Sequence, residues 1–299
     1  MQIAKKFSIF ALAGLATPTA AQVTENGSAT DPIVVTGARQ SNSDEVRSGV
    51  DAIAPSTGPA EPLARFMDPV CLGFAGLGER QEEIIRKVIE LRAQNAGVRL
   101  ADHKCRTDAL VVIVDDLAGF AQNLKRSRPN LMPASEYRRF EISIEEGDPV
   151  FVSNTHEVRT ALGRPAPHSA TIPGLTLPMS VSTNVNTDGR ARRVGLEQSA
   201  ALLNSIVVFD AGKLSGFSLV QLADYASMRL FVATNEPMNW HGGMSSILKL
   251  FSDDPADVED TMTAFDESYL LAVYELPLNA APSRLKPKVL DIYLKKSEQ

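Results

Sequence analysis

VCLGFA (residues 70–75) is followed by GLGERQEEIIRKVIELRAQNAG (residues 76–97) and then, after a loop, by ALVVIV (residues 109–114). The first run is short, apolar and closed by Gly76 and Gly78, as expected of a strand that turns sharply at its end. Glu79–Ala96 carries Ile84, Ile85, Val88, Leu91 and the Arg92 stem at helical spacing, and Gly97 is placed to end the helix. Glu82–Arg86 and Glu83–Lys87 add i,i+4 pairs in the favourable order. Ala109–Val114 has no polar residue, which marks a strand covered on both faces. Strand, helix, strand is a βαβ unit with parallel strands and a right-handed crossover.

Outward from this unit the same periods recur. Asp115-Asp116 closes the second strand, and a helix is expected over Leu117–Arg126, stopped before Pro129. Ala134–Phe140 reads as a short helix and Pro149–Ser153 as a strand. Pro165, Pro167, Pro173 and Pro178 mark a surface excursion, and Pro178–Val185 with Arg190–Leu196 reads as an inserted hairpin arm turning at Asp188-Gly189. Ser205–Phe209 (SIVVF) is another buried strand. Ser218 caps a helix reaching Val232, with Leu219, Leu222, Ala223, Ala226 and Leu230 inward. Ile247–Phe251 is a short ordered piece. Thr263 and Asp266 form a capping box for a helix whose inner face is Phe265, Tyr269, Leu270, Val273 and Tyr274, stopped by Pro277. A basic helix over Ser283–Lys296 follows. The expected fold is α/β or α+β: a small mixed sheet with flanking helices, in one domain over residues 67–299.

The N-terminal portion has a different composition. Lys5 and Lys6 precede the apolar run FSIFALAGLA (Phe7–Ala16), Pro18 and Thr19-Ala20-Ala21. Charge, short apolar core and small residues in that order predict a cleavable signal peptide over residues 1–21. Residues 22–66 are rich in Ser, Thr, Asn, Gly and Pro and read as a flexible linker. No later segment reaches 18 apolar residues, so no transmembrane segment is expected. The protein is therefore expected to be soluble, and periplasmic or secreted.

In an oxidising compartment Cys71 and Cys105, near the starts of two neighbouring strands, are expected to pair. The rival, a metal site of Cys71, Cys105 and His103, lacks the four ligands of structural zinc. The formal net charge of −6, with no basic stripe carrying interleaved aromatics, argues against nucleic acid.

No chemistry-bearing motif is complete. Gly73, Gly76 and Gly78 have the spacing GxxGxG rather than that of a dinucleotide loop, and no cofactor is expected. Asn184, Asn186, Asp188 and Gly189 mimic the front of an EF-hand loop, but its twelfth position is Gly195. No G-x-S-x-G elbow exists, and His103, His156, His168 and His241 do not pair at i,i+4. Asp115 and Asp116 end a buried strand, where α/β proteins place ligands.

Two resemblances add expectations. Ser205–Phe209, the Leu219–Val232 helix and FDESYLLAVY (Phe265–Tyr274) together resemble a group of secreted bacterial proteins of unknown function with a zincin-like core. In that group the middle helix carries a His-Glu motif. Here those positions fall on Leu219 and Val220, which have no metal-donor atoms. The resemblance implies that hydrolysis at this site is lost. It leaves Gln221, Asp224 and Tyr225 to line a vestigial pocket or to sit at the solvent edge. Asp31–Gly37 (DPIVVTG) resembles the TonB-box-like stretch of TonB-dependent outer-membrane receptors. It implies a strand that docks on an envelope energy-transducing protein, beside the plainer reading of a β-prone piece of linker. The leading expectation is a non-catalytic periplasmic binding or interaction protein, with an envelope protein or small molecule as partner. The alternative is a diverged hydrolase with an unrecognised site.

Overall fold

The computed structural model describes residues 43–298 apart from 56, 57, 60, 103, 166–194, 236–242, 253 and 255–257. All described residues belong to one compact unit, Gln40–Gln299. The signal peptide, the TonB-box-like stretch and nearly all of the hairpin arm lie outside the described residues.

The βαβ unit forms as its pattern implies. Strand β2 (Leu72–Ala75) pairs in parallel with β3 (Ala109–Val114), and helix α2 (Glu79–Ala96) connects them. Gly76 has φ 76°, and a Cβ there would meet the Ile113 carbonyl oxygen at 1.8 Å, so only glycine lets the chain leave β2 so close to β3. The buried stripe of α2 is Ile85, Ile89, Ala93 and Ala96, rotated from the expected Ile84–Leu91 face. Leu91 is 50% exposed. Ala93 and Ala96 extend the stripe of Ile85 and Ile89 and are buried with it.

After β3 come α3 (Leu117–Ser127) and α4 (Ala134–Glu146), then β4 (Val150–Thr160). Strand β5 (Gln198–Asp210) is the centre of a mixed sheet. It takes β4 antiparallel along one side; on the other it takes β1 (Ala64–Arg65) and β3 in parallel. Alternate residues face opposite layers. Val111 and Val207 join the larger core beneath α2, α5 (Leu219–Phe231) and α6 (Ala264–Glu275), whereas Val112, Val208 and Phe151 meet Tyr137 and Phe140 of α4. Phe140 and Phe151 stack with ring centres 4.2 Å apart. Helix α7 (Leu285–Ser297) closes the fold near the expected basic helix.

Part of the expected linker is structural. Ser43–Ile53 forms helix α1, with Val46, Val50 and Ile53 buried, and Ala64–Arg65 is strand β1. Flexible lead-in is therefore not the state of these residues. The apolar residues are few but lie on one helical face, and Gly49 leaves room for Phe265 and Met244, which a Cβ would meet at 2.9 and 3.0 Å. Buried Arg65 donates to the Val273 and Leu276 carbonyls, so a cation covers the C-terminal end of α6.

Candidate functional site

Cys71 and Cys105 form a disulfide. Asp115 and Asp116 are exposed at the exit of β3. Asp116 caps α3, accepting from the Gly119 N–H at 2.8 Å. His156 is exposed on β4; His103, His168 and His241 lie outside the described residues. Among the described residues no group of three or more His, Cys, Asp or Glu is close enough to hold a metal ion.

Gln221, Asp224 and Tyr225 do not sit at a solvent edge. All three are buried, because α5 is covered all round by the sheet, α2 and α6, and every residue from Gln221 to Phe231 is inside. Gln221 completes the capping box with Ser218, and its Nε2 donates to the Glu259 carbonyl at 2.9 Å. Tyr225 packs edge-on against Phe251, ring centres 5.2 Å apart. Asp224 accepts from Arg92, Thr261 and the Met262 N–H. Arg92 reaches on to Glu267, which Lys296 also pairs. The hydrogen bond to Asp224, ahead of the opposing effect of burial, raises the Arg92 pKa. These groups spend their bonding capacity on one another and hold α2, α5, α6 and α7 together.

A polar opening lies elsewhere, along the outer side of β4. It is a cleft of about 290 Å³ between α4, β4 and the chain leaving α5. Helix α4 supplies Glu136 and Arg139; β4 supplies Val152 and Asn154; the end of α5 supplies Arg229, followed by Thr234 and Asn235. Glu136 is held from two sides, by Arg139 Nη1 at 2.8 Å and by the buried Ser153 hydroxyl at 2.9 Å. Ser153 thus props a carboxylate and is not displayed as a nucleophile. The Arg139 guanidinium lies 5.8 Å from the Phe151 ring centre, and its side chain is 47% exposed.

The opposite wall is fixed by contacts to main-chain carbonyls and side-chain hydroxyls. Arg229 Nη1 donates to the Thr234 hydroxyl and the Asn235 carbonyl, each at 2.8 Å. The Asn235 N–H donates to the Ile53 carbonyl at 2.9 Å, tying this wall to the end of α1. Asn154 accepts from the Ser205 hydroxyl at 2.5 Å and donates to the Arg229 carbonyl at 3.3 Å. The result is a braced polar groove in which, among the described residues, Glu136 and Arg139 stand on one side and the buried Arg229 underlies the other. It can bind by hydrogen bonding and charge.

The sequence reading named none of these residues, and one signal pointed to them. Arg229 interrupts the apolar stretch LADYASMRLFV (Leu222–Val232), and a cation inside such a stretch needs a fixed set of acceptors. Comparison of the chain with family models, curated protein sequences and solved structures returns no match.

Proposed function

We propose that this is an exported, non-catalytic binding protein of the periplasm or extracellular space, whose ligand occupies the cleft beside β4. The observation that carries the reading is the braced arrangement of Glu136, Arg139, Asn154 and Arg229 around an opening of about 290 Å³. Small-ligand sites have this character: a preformed concavity with a few convergent polar groups. Export is supported by the signal-like N-terminus and by the Cys71–Cys105 bridge, since disulfides persist in oxidising compartments. The zincin-like resemblance enters the same reading, because Leu219 and Val220 on the first turn of α5 offer no donor to a metal.

The test is a titration of the purified protein, read by amide NMR, against a panel of small carboxylates and short peptides. Saturable shifts confined to the cleft, weakened in Arg139→Ala, are expected. No response at residues 136–139, 152–154 or 229–235 to any member of the panel would end the reading. Cleavage of the signal is checked separately: the exported chain is expected to begin near Gln22, and an uncleaved chain retained in the cytoplasm would remove the export step.

A further inference from the structure

We infer that the tip of the α3–α4 hairpin is a docking surface for an anionic phospholipid bilayer, on which the folded domain rests without entering the membrane. The inference stands apart from the cleft and goes beyond it.

The sequence concentrates positive charge at one place. Residues 121–140 (AQNLKRSRPNLMPASEYRRF) hold five cations against the single acid Glu136, on a chain whose formal net charge is −6. The fold sharpens that contrast. Helices α3 and α4 lie antiparallel: Lys125 of α3 pairs with Glu141 of α4 at 2.6 Å, and the Tyr137 hydroxyl donates to the Arg128 carbonyl at 2.6 Å. The end of α3, the turn and the start of α4 therefore form one tip, which carries Arg126, Arg128 and Arg138. The acids of the hairpin are gathered at its other end, with Asp115 and Asp116 before α3 and Glu145 and Glu146 closing α4. A negative plane is drawn to the tip and repelled by the rest, so charge alone orients the approach.

Three observations narrow the partner. First, Arg126, Arg128 and Arg138 are exposed, and no ion pair or side-chain hydrogen bond among the described residues engages their guanidinium groups. A single small anion needs donors converging at hydrogen-bond distance. Cations spread over two helices and a turn suit a charged plane instead. Second, the nearby aromatic rings of Phe120, Tyr137 and Phe140 turn inward to the core between the sheet and these helices, so the tip offers no stacking platform to a nucleic acid. Third, Tyr137 and Phe140 fix the inner side of α4, and Arg138 with Ile142, at i and i+4, share its outer side. Ile142 is 40% exposed, which places an apolar side chain one turn from a free cation, the pairing that interfacial helices use.

The test is vesicle flotation with the chain begun at Gln22, so that the apolar run Phe7–Ala16 cannot itself bind lipid. Vesicles of phosphatidylcholine alone are compared with vesicles containing about a third phosphatidylglycerol. Binding to the anionic vesicles alone is expected, weakening by more than about tenfold as salt rises from about 0.05 to about 0.5 M. The triple variant Arg126→Glu, Arg128→Glu, Arg138→Glu is expected to bind more than about tenfold more weakly at an unchanged unfolding midpoint. Its control reverses three exposed cations elsewhere, Arg80, Lys104 and Arg106, and is expected to bind like the wild type. If the triple variant does not fold, amide exchange of the wild type on anionic vesicles decides, with slowing expected at residues 122–130 and 138–142. No binding, equal binding to both vesicles, or equal loss in the control would overturn the inference. So would competition by inorganic phosphate at constant ionic strength, which would assign the tip to a single anion, or binding of polyglutamate in place of vesicles, which would assign it to an acidic protein.

Discussion

Arg92 Nε lies 2.7 Å from Asp224 Oδ1, and the Asp224 side chain is completely buried. The carboxylate also accepts from the Thr261 hydroxyl at 2.6 Å and the Met262 N–H at 2.7 Å, so every bond it makes is internal. Removing the cation strands the anion. Arg92→Leu is expected to lower unfolding free energy by about 3–5 kcal/mol, measured by urea denaturation. Joint replacement of both residues by apolar ones is expected to cost less than Arg92→Leu alone. If Arg92→Leu instead costs no more than an exposed pair such as Lys87–Glu83, the network has no structural role.

Asp266 carries the opposite pH signature from an ordinary paired acid. Burial is the dominant effect and raises its pKa to about 6, against the lowering effect of hydrogen bonds from Ser246, Ile247 and Thr263. The folded state therefore holds a proton that the unfolded state has released between about pH 4 and pH 6. Its contribution is largest in acid and is lost as pH rises through that window. Asp266→Asn keeps an amide in place of the acid but cannot titrate. The stability gap between wild type and Asp266→Asn is expected to shrink by about 2 kcal/mol from pH 4 to pH 7. A constant gap across that range would show that Asp266 is ionised throughout.

How far the sequence was legible follows from where each signal resides. Ala109–Val114 was readable because an unbroken apolar run of that length has one comfortable home, a covered parallel strand. The disulfide was readable because only two cysteines exist and β2 and β3 bring them together. Helix α5 was found, but its polar residues were expected at a vestigial pocket or the solvent edge, not in a closed internal network. Asp224 is satisfied by Arg92, Thr261 and Met262, all more than thirty positions away, and no local pattern announces such partners. The cleft was hard to read for the same reason. Arg229 alone stands out among its neighbours; Glu136 and Asn154 do not, and the three, from separate elements, converge only because β4 folds against β5.

Helix α1 tests the boundary of the fold. Val50 is 1% exposed and belongs to the main core, whereas Arg47, three residues earlier, has its side chain 52% exposed. Val50→Ala is expected to cost about 2 kcal/mol, and Arg47→Ala less than about 0.5 kcal/mol, in the same denaturation assay. Equal, negligible effects of the two substitutions would return Ser43–Ile53 to the lead-in.

The Cys71–Cys105 bridge closes a loop over a sequence separation of 34. Its ends already meet without it. The Cys71 carbonyl accepts from the N–H groups of Asp108 and Ala109 at 3.0 and 3.1 Å, and Val70 pairs with Leu100. The native chain therefore has no need of the covalent link to hold this shape, and the bridge acts by restricting the unfolded chain. On the chain-entropy argument the double replacement of Cys71 and Cys105 by alanine is expected to lower stability by about 3–4 kcal/mol. The β2–β3 pairing and the circular dichroism of the folded state are expected to be retained. Reductant is the control: it should lower the wild-type midpoint by a similar amount and leave the double-alanine variant unmoved. A wild-type midpoint indifferent to reductant, with both thiols then open to alkylation in the folded protein, would show that the stability never depended on the bridge.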